Sequence, residues 1–70
     1  MTEYLVIYER GEDGGWGAHS PDVESVFAVG TSRAQVEERM TEALAAHLAF
    51  LQDSGEPIPE PRTEAGHVAA

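Results

Sequence analysis

Apolar and polar positions change period along this chain, dividing it into a β-rich first thirty residues and a helical stretch that follows. Tyr4-Leu5-Val6-Ile7-Tyr8 is a continuous apolar run, too short for a helix and rich in β-branched and aromatic side chains. It predicts a strand near residues 3–9, covered on both faces and central in its sheet. Glu9 to Gly15 is polar and glycine-rich, and its Asp13-Gly14 pair tolerates positive φ, so a hairpin turn is expected there. Trp16-Gly17-Ala18-His19-Ser20 extends as a second strand near 15–20, with the indole, the Ala18 methyl and Ser20 sharing one face. Pro21-Asp22 opens a turn, and Val26-Phe27-Ala28-Val29 forms a third strand near 25–30 that Gly30 ends. Short connections between three strands make an antiparallel meander the simplest topology.

From Ser32 the period becomes helical. Ser32 with Gln35 three positions later has the spacing of a capping box, which places a helix near 32–53. Val36, Met40, Ala43, Leu44, His47, Leu48 and Leu51 recur at intervals of three and four and share the face that packs on the sheet. Asp53-Ser54-Gly55 closes the helix with glycine where a left-handed residue is common. Pro57 and Pro59 then hold a short extended segment near 57–61, with Ile58 beside the sheet. Residues 62–70 are small and polar without a period, and are expected to form a flexible tail. The fold class is therefore α+β: a three-stranded antiparallel meander packed on one long helix, with a short extended C-terminal segment. Residues 1–61 form the single domain.

Seventy residues bury only about 60% of the surface of their unfolded chain, and without cysteine no disulfide or thiolate-bound metal reinforces so small a core. Sharing apolar surface with a second copy or another protein would relieve that shortage, so a homo-oligomer, a dimer first of all, is expected. No stretch is long and apolar enough to span a bilayer and no secretory leader pattern is present, so a cytoplasmic location is expected. Thirteen acidic residues against four arginines and no lysine give a net charge of −9, which repels phosphate backbones and anionic lipids and favours a basic protein partner.

Glu9, Glu12, Asp13, Asp22 and Glu24 raise the question of a divalent-cation site for phosphoryl transfer, but most fall in turns rather than at convergent strand or helix positions. They read as solvated turn charges, and no metal or cofactor is expected. His47, on the apolar helix face, reads as a hydrogen-bonded core or interface histidine; His19 and His67 are isolated. Ser20, Ser25, Ser32 and Ser54 fall at turns or a cap, where hydroxyls bond nearby backbone. Trp16 is either a core plug or an exposed anchor for a partner. Tyr4, Tyr8, Phe27 and Phe50 read as packing residues. Gly14-Gly15-Trp16-Gly17 lacks the Lys-Ser/Thr ending of a phosphate loop and does not lead into a helix. The chain reads as a binding protein rather than an enzyme.

Asp-Gly-Gly-Trp at 13–16, Pro-Asp at 21–22, Gly-Thr-Ser-Arg at 30–33 and Gly-Glu-Pro-Ile-Pro-Glu-Pro at 55–61 sit at spacings seen in HicB-type antitoxins. From about Tyr4 to Pro61 this chain resembles their N-terminal domain, the proline-rich clip after the helix being the most specific element. The resemblance implies a partial RNase H-like β-β-β-α-β fold that masks a small basic endoribonuclease toxin of the HicA type, and homodimers or larger assemblies. Two departures stand out. Family members usually continue past Pro61 into a DNA-binding segment, so operon repression is not expected of these residues alone. The family turn after Pro-Asp is commonly Leu-Pro-Gly-Cys, where this chain has Val23-Glu24-Ser25-Val26. The functional expectation is a toxin-masking, antitoxin-like module with Glu12, Asp13, Trp16, Asp22 and Glu24 as partner contacts. The alternative is a solitary module of the same kind that self-associates without a toxin.

Overall fold

The computed structural model describes residues 2–70. Three strands, β1 (Ile7–Arg10), β2 (Trp16–Ser20) and β3 (Val23–Gly30), precede one helix, α1 (Arg33–Asp53). The strands form an antiparallel sheet in the order β1-β2-β3, with α1 laid on one face against β2 and β3. This is the expected α+β meander and helix.

The first strand differs from the sequence expectation. β1 is an edge strand that starts at Ile7, and β2 is central. Tyr4, Leu5 and Val6 lie outside the ladder, although Tyr4 and Val6 still pack against the core. Four paired residues are what the five-residue β2 has room for, and the Gly11–Gly15 loop fixes their register. In that loop Gly11 N–H donates to the Gly15 carbonyl at 2.8 Å, and Gly14 takes the positive φ of 86° that its lack of a side chain permits.

β3 begins earlier than its alternation suggests. His19 pairs Phe27 while Ser20 pairs Val23, so a bulge absorbs the extra residues of β3 between those positions. The irregularity re-phases the strand, and Val23, Val26 and Ala28 all turn to the helix side at spacings of three and two. A strict period of two finds only the last part of that strand.

Helix α1 follows its sequence signals closely. Ser32 is the N-cap, its hydroxyl accepting from Gln35 N–H at 3.2 Å. The reciprocal bond is shifted by one residue, since the Gln35 side-chain carbonyl accepts from the N–H of Thr31 at 2.8 Å rather than from that of Ser32. At the other end Gly55 (φ 72°) follows the C-cap Ser54. Gly55 N–H donates to Gln52 and Glu56 N–H to Leu51, satisfying two of the last carbonyls.

The core between sheet and helix is small: Ala18, Val23, Val26, Ala28, Val36 and Met40, ringed by Tyr4, Val6, Tyr8, Trp16, Ala43 and Leu44. Ser20 is buried with them, and its hydroxyl has no hydrogen-bond partner among the described residues, contrary to the turn role its position suggested. Ser20→Ala removes this unsatisfied group at little packing cost, and is expected to stabilise the domain by about 1 kcal/mol, raising Tm by about 4–8 °C. A lower Tm in thermal unfolding would show that the hydroxyl does bond within the fold.

Beyond the helix, Pro57, Pro59 and Pro61 remove alternate N–H groups, and residues 56–70 join no ladder. The segment is nonetheless tied down. The Tyr4 hydroxyl donates to the Pro59 carbonyl, and the first two residues of the expected tail, Arg62 and Thr63, are held by Asp22. The chain from Pro57 to Thr63 is therefore a strap crossing from the helix end to the β2–β3 turn.

Candidate partner-binding surface

The β1–β2 loop carries Glu12 and Asp13 at its exposed tip. Glu12 is in no ion pair among the described residues, whereas one Asp13 carboxylate oxygen accepts from Gly15 N–H at 2.9 Å and holds the turn. Trp16, the first residue of β2, is half-buried and packs against the core while the Arg10 guanidinium lies 5.6 Å from its ring centroid. The indole thus serves as a core plug along one side and remains accessible along the other.

Asp22 and Glu24 lie at the opposite end of β2, roughly 15 Å away along a five-residue strand. The five candidate contacts therefore form two groups rather than one patch. Asp22 is already engaged: its carboxylate accepts from the Thr63 hydroxyl at 2.8 Å and from the N–H groups of Thr63 and Arg62, each at 3.1 Å. The Thr63 N–H, then the Thr63 hydroxyl, hold its pKa below the usual 3.8; partial burial opposes them, and Arg62 adds to them through its N–H and its charge. Glu24 remains exposed on the bulge, at the rim of an open groove of about 810 Å³ floored by Val23, His47, Leu51 and Ile58.

Because Asp22 titrates lower when the strap is docked, its carboxylate contributes attachment that is complete above the ordinary carboxylate range and is lost as pH falls through the lowered value. Amide exchange at Thr63, corrected for its intrinsic pH dependence, is expected to rise below about pH 4. Asp22→Ala is expected to abolish that pH dependence and to speed tryptic cleavage after Arg62 several-fold at neutral pH. Unchanged cleavage would mean that the strap is held by other contacts.

In the same groove the Ser25 hydroxyl and His47 Nε2 stand 3.3 Å apart. No carboxylate reaches the other imidazole nitrogen among the described residues, so the pair lacks the third group that orients a catalytic histidine. Nor, among these residues, do three His, Asp or Glu side chains converge on a point where a metal ion would sit.

Sequence reasoning missed two surfaces. The first is the outer side of α1, where Glu37, Glu38 and Glu42 stand exposed with Ala34 and Thr41 between them. Glu37 is neutralised by Arg33 at 3.0 Å, and this is the one ion pair among the described residues. The four-residue spacing of Glu38 and Glu42 was a legible sign of this stripe. The second is the sheet face turned away from the helix, where Phe27 is 71% and Val29 62% exposed. Phe27 and Phe50, read as packing residues, are both on the surface.

Comparison with protein-family models, with curated proteins and with solved structures finds no match to this chain. Among the described residues no helix is long and apolar enough to cross a membrane.

Proposed function

We propose that this chain is a non-enzymatic, antitoxin-like module that masks a small basic endoribonuclease of the HicA type, its β-β-β-α order being the main part of a partial RNase H-like domain. One observation carries the reading: among the described residues Glu37 alone of the thirteen acidic side chains is in an ion pair, so most of the negative charge faces solvent without a paired cation. The four arginines are too few to offset it: Arg10 lies over Trp16, Arg33 over Tyr8 while pairing Glu37, Arg39 on the Val29 carbonyl and Arg62 beside Asp22. Such a field draws in a cationic protein, competes with RNA for its basic face and itself repels nucleic acid. Glu12 at the loop tip and the Glu38–Glu42 helix stripe are parts of that surface whose carboxylates are free of ion pairs among the described residues.

The test is a titration of a purified HicA-type ribonuclease, encoded beside this chain, with the chain itself. Stoichiometric loss of RNA cleavage is expected, with co-elution at moderate salt that weakens as salt rises. Undiminished cleavage in the presence of excess chain, or the lack of any small basic neighbour, would remove the reading.

A further inference from the structure

The sheet has two faces and the helix covers one. Register places Tyr8, Ala18 and Ala28 in a row under α1, and Ile7, His19 and Phe27 in a row on the far side, with Val29 opposite Gly17 in the next row. This far face is apolar apart from His19 at its centre and Glu9 at its edge. We propose that it is a homodimer interface, on which a second copy of this chain stacks its own far face to give a helix-sheet-sheet-helix sandwich.

Area, edges and charge support that occupant. Exposures of 71%, 62% and 36% for Phe27, Val29 and Ile7 leave on the order of 300 Å² of apolar side chain bare, the size of the largest patch on an ordinary monomer. With Gly17, His19 and the rim around them, stacking two copies would cover roughly 1,000 Å² in total, the lower bound for a specific dimer. Two contacts stand at the margins of the sheet. At the free edge of β3 the Arg39 guanidinium occupies the Val29 carbonyl at 2.7 Å, and the strap is tied beside the residues that precede β1. Each contact occupies only part of an edge, whereas none of the described elements covers the far face.

Charge separates this occupant from the basic partner proposed above. The far face offers a cationic protein almost no carboxylate, whereas a second copy presents matching apolar side chains across a two-fold axis. It also completes a core whose six buried residues are few for 70. The two copies repel through their acidic surfaces, so the dimer tightens as salt rises, opposite in sign to a complex with a basic protein. The inference is thus independent of the masking function, and each can fail without the other.

Sedimentation of the full chain at tens of micromolar is expected to give about 15 kDa, twice the 7.5 kDa of one copy. The three histidines then locate the interface without any mutation. Carbethoxylation of His19 should be roughly tenfold slower than that of His67 in the exposed tail, because an interface centre excludes reagent and water. Phe27→Ser, at a site outside the core, is expected to raise the dimer Kd at least about 30-fold and restore His19 reactivity. Val29→Thr serves as the second variant, with helical circular dichroism and Trp16 fluorescence reporting the fold. A 7.5 kDa species at hundreds of micromolar, or a dimer in which His19 reacts as fast as His67, would overturn the proposal. A folded Phe27→Ser chain that dimerises as before would do the same.

Discussion

Met40→Ala is expected to leave the domain largely unfolded at 25 °C, with loss of most of its helical circular dichroism. Met40 is 1% exposed and is the largest of the fully buried side chains. It lies one helical turn after Val36 and enters the same core as Val23, Val26, Ala18 and Ala28. Truncating a fully buried methionine removes its transfer energy and leaves a cavity, at a combined cost of about 2–5 kcal/mol. A single core in a domain of this length supplies about 3–5 kcal/mol in all, so the loss is comparable with the total. Met40→Leu keeps the volume and should cost less than about 1.5 kcal/mol, retaining the fold. If Met40→Ala unfolds in urea at the wild-type midpoint, the helix does not use this face to pack.

Gly30→Ala is expected to lower the urea midpoint by about 1 M, a net loss of about 1–2 kcal/mol. Gly30 ends β3 directly beneath the first turn of α1. A methyl there would lie 2.5 Å from Gln35 Oε1 and 3.0 Å from Val36 Cγ2. The glutamine cannot withdraw freely, because the same oxygen accepts from the Thr31 N–H and hydroxyl, and Val36 is wholly buried. The reduced freedom of the unfolded alanine chain offsets part of this strain, by about 0.4–1 kcal/mol. In a Gln35→Ala background the same substitution should cost less, and the difference measures how much of the effect passes through the capping carbonyl. Equal costs in both backgrounds would assign the strain to Val36 alone.

The helix was the most legible part of the molecule, since its signals are local. Ser32, the stripe from Val36 to Leu51, and Gly55 each act within one or two turns, and the structure ends the helix where they fall. The strands were legible as a meander but not in position within the sheet. The run from Tyr4 to Tyr8 suggests a strand buried on both faces, yet a strand's neighbours are set by distant partners, and the short β2 left β1 four residues at an edge. The bulge at His19/Ser20 hid the start of β3 because it breaks the very alternation used to find strands. The candidate contacts suffered from a related limit. Glu12 and Glu24 are twelve residues apart in sequence, and only the straight run of β2 between their turns shows that they face opposite ends of the sheet. The far face of the sheet lies in the apolar run Val26 to Val29, which reads as a strand with Phe27 as a packing residue, and the run alone does not say which of its side chains the helix covers.

The strap that Tyr4 and Asp22 hold has a consequence for the order of assembly. Every strand pairing, and the packing of α1 on β3, joins elements adjacent along the chain, so their loops are short and close early. The ties at Pro59, Arg62 and Thr63 span 55, 40 and 41 residues and add no strand to the sheet. They form on a body already built, and they are the first to release when the protein fluctuates, baring the hollow under Ile58 while the rest stays native.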